Sequence, residues 1–295
     1  NKLINLTYFF NLTFPDTFIT NGTHKCLNNT LKALKQNTNS YYNKDVYPFS
    51  YILQFDWYGE KVLNELLNNK INNKKILVGP LYTEKQLKKL SEYIQNYKFI
   101  KIIAASKYSA EKILIDKSLN IKKDNICIIP TGIISEKKLN NLKNTKKNEH
   151  CLIYYKNREA KDLQKVTEFL NSKSIQYKLF EYGKYSNNEL KKEARKSRFC
   201  VMLNGTESQG IAVQEILAMN LPIYTWDLPT NKLNRFASSA PYFDNRCGII
   251  TNNYEEFINN FEIFFAKLNT FTPSKLILDK LTFEKFINNL QSEFK

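Results

Sequence analysis

The stretch from Arg198 to Asp227, RFCVMLNGTESQGIAVQEILAMNLPIYTWD, limits the possible folds of this chain more than any other. It begins with a short apolar run and continues through the polar segment 204–210. A mostly apolar helix-forming segment and a second apolar run follow. Short apolar runs bounded by polar loops predict strands, and the longer segment between them predicts a helix. The stretch therefore predicts one strand–helix–strand unit of a parallel sheet.

The loop of this unit, Asn204 to Gly210, is expected at a ligand-binding edge, because ligands of open parallel sheets bind beyond the carboxyl ends of the strands. Gly210 opens the helix, so it permits a close backbone approach and leaves free N–H groups for a phosphate. A carboxylate at Glu207 would repel that phosphate, and we expect it to reach neutral hydroxyls such as those of a sugar. The alternative is that Glu207 is a solvated loop residue.

A second carboxylate, Glu215, follows Glu207 by eight positions in the predicted helix. Nearly all of its neighbours in sequence are apolar, so the helix is expected to be mostly buried. A buried carboxylate is costly unless it is paired, and a ribose diol with two hydroxyl donors would be a suitable partner. The alternative is that Gln214 and Glu215 form the one solvent-exposed edge of a core helix.

The segment ESQGIAVQE, followed by ILAMNLPIYTWD, resembles the E-x7-E signature of retaining nucleotide-sugar glycosyltransferases with the GT-B fold. The resemblance implies that Glu207 contacts the donor sugar and that Glu215 contacts the ribose. Two positions depart from the family pattern, because Ser208 and Asn220 stand where glycine is usual. The loop residues expected beside the donor are Ser208, Gln209, Gly210 and Ile211.

Two earlier pieces of the chain resemble the same family. KFIKIIAASKYSAEKIL and, after it, NICIIPTGI are similar to segments near the end of the family's N-terminal domain. Their order and their distance from the E-x7-E element make the combination more specific than any piece alone. The resemblance covers roughly Lys98 to Asp227.

Predicted strands alternate with predicted helices along the whole chain, which indicates parallel α/β structure. A polar segment rich in Lys and Asn, SEKKLNNLKNTKKNE at 135–149, is expected to be an exposed linker. With the resemblance, we predict the GT-B architecture of two Rossmann-like domains that face a cleft. Residues 1–134 would form the acceptor domain and 150–275 the donor domain, and a C-terminal helix at 276–295 would cross back to the first domain.

Basic residues follow the predicted strand CLIYY at 151–155. At the carboxyl end of that strand they would face the same cleft as Gly210, where cations bind a pyrophosphate and stabilise it as it leaves. The resemblance implies an Arg and a Lys in this role, and the nearest matches are Arg158 and Lys161, with Lys156 as a third candidate. By the same analogy Tyr182 is expected near the nucleotide base.

Gly22 and Thr23 precede the helix-forming segment HKCLNNTLKAL at 24–34. The resemblance places this loop at the cleft, so both residues are expected near phosphate or acceptor. His24 is one of two histidines in the chain, and it is either a surface residue or a general base. In the second case the protein would be an inverting transferase or a nucleotide-sugar epimerase on the same fold.

The net charge of +16, from 44 basic and 28 acidic residues, favours anionic partners. A nucleic-acid-binding protein would interleave its basic face with exposed aromatics, whereas the aromatics here lie largely in apolar strand runs, so no nucleic acid is expected. The sequence does not distinguish an active transferase from a catalytically inactive relative that only binds glycans.

The expected location is the cytoplasm, with peripheral contact to an anionic membrane left open. No apolar run reaches the roughly 18 residues that a membrane span requires. The five cysteines are scattered and lack C-x-x-C spacing, which indicates reduced thiols. The first residue is Asn1 rather than Met, so we expect that a leader or another domain could precede it.

Together these features predict transfer of a sugar from a UDP- or GDP-sugar to a glycan or another hydroxyl acceptor. The resemblance implies a retaining reaction. No D-x-D element is placed to hold a metal, so neither a metal nor a cofactor is expected.

Overall fold

Two parallel β-sheets flanked by helices form the described part of the chain, which in our computed structural model comprises residues 5–6, 22–37, 49–68, 75–142, 150–228 and 236–294. Within these ranges each sheet has five strands, and every strand pair is parallel. The alternation of strands and helices predicted from sequence is thereby confirmed.

The first sheet has the strand order β1-β2-β3-β4-β5. Its central strands are buried on both faces, as expected for a parallel sheet covered by helices on each side. The elements of this domain are β1 (Asn5–Leu6), α1 (Gly22–Asn37), β2 (Phe49–Gln54), α2 (Trp57–Asn68), β3 (Lys75–Leu81), α3 (Glu84–Asn96), β4 (Ile100–Ala104), α4 (Lys107–Ile115) and β5 (Ile126–Ile128).

The segment that joins the two sheets contains more structure than its composition predicts. Helix α5 (Glu136–Asn140) lies inside the expected linker, and the Ser135 hydroxyl accepts a hydrogen bond from the Lys138 N–H at its start. Leu139 is buried in the core of the second domain, and Leu142 packs against the same core. The expectation of an exposed linker is therefore wrong for this helix, because an apolar side chain within the Lys-rich run binds it to the core.

The second sheet has the order β10-β9-β8-β6-β7. All six residues of β8 are buried, and the strand–helix–strand unit predicted around it is present as β8, α8 and β9. The elements of this domain are β6 (Cys151–Lys156), α6 (Ala160–Ser172), β7 (Tyr177–Glu181), α7 (Asn187–Lys196), β8 (Phe199–Asn204), α8 (Ile211–Ala218), β9 (Ile223–Trp226), β10 (Gly248–Thr251) and α9 (Tyr254–Ala266).

The C-terminal segment forms two helices, whereas a single helix was predicted at 276–295. Helix α10 (Pro273–Lys280) packs on α8, and helix α11 (Phe283–Phe294) packs on α1 and the core of the first domain. The chain passes from the first domain to the second near Ile133 and returns between α10 and α11. The two connections lie side by side: the Ile133 N–H donates to the Leu281 carbonyl at 2.8 Å, and the Phe283 N–H donates to the Ile134 carbonyl at 3.0 Å. The predicted GT-B architecture, with a C-terminal helix crossing back, is confirmed.

All five cysteines are free and buried. Burial raises the pKa of the Cys26 thiol to about 11, which keeps it protonated at neutral pH. In the ranges that the structure covers, every helix is too short or too polar to cross a membrane.

Candidate functional site

A cleft of about 660 Å³ lies between the two domains, a volume typical of small-molecule sites. It runs along the carboxyl ends of strands from both sheets, where parallel sheets bind ligands. The first domain lines it with Lys25, Cys26, Gln54, Pro80, Leu81, Tyr82, Thr83, Gln86 and Ala105, and the second with Tyr154, Lys156, Asn157, Tyr182 and residues 206–213.

Gly210 connects the loop after β8 to helix α8. Its φ of 73° and ψ of 50° are left-handed, a conformation that favours glycine. A Cβ at this position would lie 3.2 Å from Pro241 Cδ and 3.3 Å from Val213 Cγ2. Glycine has no side chain with which to cap the helix, so the first N–H groups of α8, at residues 211–213, remain at the cleft wall. The start of α8 therefore offers the anion-binding end of a helix dipole to the cleft.

Glu207 forms an ion pair with Lys156 at this edge. The Lys156 ammonium lies 2.7 Å from Glu207 Oε1 and 4.8 Å from the centre of the Tyr182 ring. A backbone hydrogen bond holds the loop that carries Glu207, since the Glu207 N–H donates to the Ser238 carbonyl at 3.0 Å. Three residues predicted from separate parts of the sequence thus meet on one wall of the cleft.

Glu215 lies in the interior of α8, with 2% of its side chain exposed. Its Oε2 faces the Lys25 ammonium at 2.9 Å, and its Oε1 faces the Lys191 ammonium at 2.9 Å and the Asn187 amide at 3.1 Å. Burial raises the pKa of this carboxyl, but the two ammonium groups outweigh burial and hold the pKa below its ordinary value. Glu215 is therefore ionised and bonded to protein donors, and a direct contact with a ribose would require one of these donors to move.

Gln209 binds the inter-domain connection. Its Oε1 accepts from the Thr131 N–H at 3.0 Å, and its Nε2 donates to the Thr131 carbonyl at 2.8 Å and to Gln214 Oε1 at 3.0 Å. The Thr131 hydroxyl in turn contacts the Cys26 thiol at 3.0 Å. The side chain predicted beside the donor thus fixes the loop after β8 to the first domain, while the neighbouring Ser208 is exposed at the cleft.

Arg158 and Lys161 lie away from the cleft lining. The Arg158 guanidinium is buried, with Nε bonded to Asp162 at 2.7 Å and Nη1 bonded to the carbonyls of Asn204 and Trp226 at 3.1 Å each. Lys161 is exposed on α6 and pairs with Glu159 at 2.5 Å. Arg158 therefore holds strand ends in place, and the geometry favours Lys156 over both residues as a cation for a bound phosphate.

Gly22, Thr23 and His24 form the first turn of α1. Their side chains lie outside the described part of the structure, so their predicted contacts with phosphate or acceptor stay predictions. The next residues of the helix, Lys25 and Cys26, line the cleft.

Sequence patterns did not predict two parts of the cleft lining. One is Lys25, and the other is the wall of the first domain formed by Gln54, Tyr82, Thr83 and Gln86. Lys25 and Glu215 are 190 positions apart, and no local pattern joins them. The sequence does contain one signal for this wall. Thr83 and Gln86 form a capping box at the start of α3, and a helix start directly after a parallel strand marks the strand's carboxyl end, where ligands bind.

No protein-family model and no curated protein sequence matches this chain. Among solved structures it is similar to a mutant of S. aureus TarM in complex with Fondaparinux, alpha-GlcNAc-glycerol and UDP, with 13% identity, a TM-score of 0.49 and coverage of 84% of this chain and 55% of that chain. This chain thus spans about half the length of the TarM chain.

It is also similar to the apo form of the lipopolysaccharide outer core galactosyltransferase WaaB, with 8% identity and a TM-score of 0.46 over 92% of this chain and 78% of that chain. A third similar structure is sucrose-phosphate synthase from Thermosynechococcus elongatus, with 11% identity and a TM-score of 0.48 over 90% of this chain and 75% of that chain. Identities and TM-scores of this size transfer neither an activity nor the role of a residue to this chain.

Proposed function

We propose that this protein transfers a sugar from a nucleotide-sugar to a hydroxyl acceptor in the inter-domain cleft. The observation that carries the proposal is the meeting of Glu207, Lys156 and the start of α8 on one wall. A helix start and an ammonium suit a diphosphate, and a carboxylate beside them suits the hydroxyls of the attached sugar.

The donor would lie with its diphosphate at residues 211–213 and its sugar against Glu207. Lys156 pairs with Glu207. It would turn to the diphosphate when a donor binds and leave the carboxylate to accept from sugar hydroxyls. Tyr182, whose ring already lies beside the Lys156 ammonium, would flank the nucleotide.

In the reaction the bond between the anomeric carbon and the phosphate oxygen breaks, and the acceptor oxygen bonds to that carbon. The negative charge that develops on the leaving diphosphate is stabilised by Lys156 and the α8 N–H groups. The proton of the acceptor hydroxyl passes to the leaving phosphate, which balances the reaction. This route corresponds to a retaining, metal-independent transfer, and both properties belong to the proposal.

The acceptor would bind against the first domain. Among the described residues, the part of that wall formed by Gln54, Pro80, Leu81, Tyr82, Thr83 and Gln86 carries no charged side chain. Amide and hydroxyl groups beside an aromatic ring suit a neutral polyhydroxyl compound such as a glycan, and they offer no cation to a polyanion.

The test is a thermal-shift panel of UDP, GDP, CMP and ADP with their common sugar conjugates. A ligand that binds only the folded chain raises the melting temperature. We expect one nucleotide family to stabilise the wild type, Lys156→Met to lose most of that stabilisation, and Lys184→Met to keep it. Lys184 is the matched control, since it also pairs with a glutamate at 2.7 Å but does not line the cleft.

A ligand that stabilises the protein is then used as donor with a panel of glycans, and the product's anomeric configuration is read by NMR. Retention supports the retaining reaction, whereas inversion favours the alternative in which His24 is the base. Stabilisation without any turnover indicates a glycan- or nucleotide-binding protein. No stabilisation by any nucleotide would contradict the proposal.

A further inference from the structure

Lys25 belongs to the first domain, but its charge contacts the second. Its ammonium lies 2.9 Å from Glu215 Oε2, and only 10% of its side chain is exposed. The exposed part lines the cleft together with residues 210–213, the start of α8. Within the described ranges, Glu215 is the one carboxylate that pairs with it.

The cluster around Glu215 carries one positive charge in excess. Lys25 and Lys191 both pair with this single carboxylate, and Asn187 adds only a neutral donor. Lys191 keeps 34% of its side chain exposed, so water solvates it, whereas Lys25 is nearly withdrawn from water. A withdrawn cation whose countercharge is shared is incompletely compensated, and an anion placed on its open side is attracted more strongly than at a solvated lysine.

The open side of Lys25 is the cleft, since Lys25 is among the lining residues and Glu215 is not. An ammonium has three N–H donors, of which Glu215 takes one. The α8 start and Lys156 form the anion-binding wall of the second domain. Lys25 stands beside the same helix start from the first domain.

We propose that Lys25 binds the phosphate groups of the donor from the first domain and that Glu215 is the residue that positions it. This inference rests on the proposed function and assigns Glu215 to holding a cation rather than to a ribose. The anion would lie between Lys156 of one domain and Lys25 of the other. Because Lys25 and Glu215 belong to different domains, anion binding also favours the relative placement of the domains seen here.

The test measures affinity for inorganic pyrophosphate and for the stabilising nucleoside diphosphate by titration calorimetry with the full chain. We expect Lys25→Met to weaken both affinities by about tenfold or more, which is the effect of losing a charge-assisted hydrogen bond. Lys25→Arg should retain most of the affinity. Lys191→Met is the matched control, because it removes the other lysine from the same carboxylate without touching the cleft, and we expect a change of less than about twofold.

A purely structural role for Lys25 is tested by the double variant Lys25→Met with Glu215→Gln. The second change removes the charge of a buried carboxylate that has lost one of its two lysines. The double variant also serves if the single variant does not fold. The proposal expects anion affinity to stay low in this variant although its melting temperature recovers. Recovery of affinity together with stability would overturn the proposal, as would equal losses in the Lys25 and Lys191 variants.

The two proposals fail in different ways. Lys25-dependent pyrophosphate binding in a chain that transfers no sugar supports the role of Lys25 and contradicts the proposed function. Sugar transfer with unchanged donor affinity in Lys25→Met supports the function and contradicts the role of Lys25. A wild type that binds neither anion contradicts both.

Discussion

At the scale of single residues, the proposed chemistry depends most on the Lys156–Glu207 ion pair at the cleft wall. The same chain supplies a comparison pair, Lys184–Glu181, at the same 2.7 Å separation but outside the cleft lining. The two pairs are alike in composition and differ in location. Substitutions in both pairs therefore separate the effect of position from the effect of losing an ion pair.

Glu207→Gln keeps the shape of the side chain and removes its charge. We expect the transfer rate to fall on the order of 10²-fold, because the sugar hydroxyls lose the carboxylate that holds them and a misplaced reacting group costs about that much, with a smaller change in nucleotide affinity. Initial-rate kinetics with the donor found in the thermal-shift panel measure both values. Glu181→Gln should leave the rate unchanged, and an equal loss in both variants would contradict the role of Glu207.

Glu215 makes stability depend on pH. Burial raises its pKa, but Lys25 and Lys191 bring the pKa below its ordinary value of 4.5. A carboxyl whose pKa is lowered by folding contributes stability that is present above pH 4.5 and is lost as the pH falls through the folded-state value. We expect Glu215→Gln to unfold with about 3 kcal/mol less free energy than the wild type at pH 7, and this gap to close towards pH 3.

Urea unfolding at pH 7, 5, 4 and 3 measures this gap. Glu255→Gln, at an exposed position of α9, is the control, and its free energy of unfolding should stay within about 0.5 kcal/mol of the wild type. A gap for Glu215→Gln that does not change with pH would show that the carboxylate charge is not what stabilises the fold.

At this scale the sequence predicted the loop that carries Glu207, the helix start at Gly210 and the burial of Glu215, because local signals specify them. These signals are a polar loop between two apolar runs and a carboxylate among apolar helix residues. It did not locate the partners. Lys25, Lys191 and Asn187 reach Glu215 from two other helices, and the Gln209–Thr131 contact joins two domains. Such pairs depend on how elements pack, which spacing along the chain does not encode.

Among the elements, the junction between the loop after β8 and helix α8 carries most of the site. Its path depends on a left-handed residue at Gly210, where an L side chain costs about 1 kcal/mol or more. The packing of Pro241 and Val213 around the position adds to that cost. The start of α8 is therefore specified by one glycine as well as by the apolar face of the helix.

Gly210→Ala should lower the free energy of unfolding by about 2 kcal/mol and weaken pyrophosphate binding, because the helix start must shift to admit the Cβ. Gly183→Ala is the matched control, since its φ of 86° is also positive but a Cβ there meets no atom within 4 Å. Chemical denaturation and calorimetry of both variants measure the difference. Equal losses would show that backbone strain alone, without the contacts, accounts for the effect.

Element boundaries were predicted well where apolar spacing is regular and poorly where one residue decides them. Helix α5 was missed because Leu139 is a lone buried residue in a Lys-rich run. The break between α10 and α11 was also missed. There the Thr282 hydroxyl accepts from the Lys285 N–H at 3.2 Å and starts a new helix, an N-cap signal that the sequence did contain.

In the whole molecule, polar contacts between the domains fix the width of the cleft. Gln209 binds the Thr131 backbone, the Tyr242 hydroxyl donates to the Ala105 carbonyl at 2.6 Å, and Lys25 pairs with Glu215. Two neighbouring chain crossings, near Ile133 and Leu281, join the same domains. The shape of the cleft therefore depends on contacts between the two domains, and its two walls carry different chemical groups.

The net charge of +16 acts at the scale of the whole molecule, and it separates the proposed function from nucleic-acid binding. A nucleic-acid-binding protein that makes 6 to 10 phosphate contacts loses about 10³- to 10⁵-fold in affinity between 50 and 200 mM salt. By the proposal, a nucleoside diphosphate in the cleft would meet two lysines of the described lining, Lys25 and Lys156, in a partly enclosed site. Screening is weaker there, so we expect its affinity to fall less than about tenfold over the same range.

Titrations of the stabilising nucleoside diphosphate and of a random single-stranded oligonucleotide at 50, 100 and 200 mM salt measure the two slopes. The neutral nucleoside is the control, because its affinity should not depend on salt. We expect the oligonucleotide to bind only at low salt and not to displace the diphosphate at 200 mM, since a diffuse positive field attracts it without a groove that fits it. Displacement at 200 mM with a shallow slope for the oligonucleotide would place nucleic acid in the cleft and contradict the assignment of its two walls to donor and acceptor.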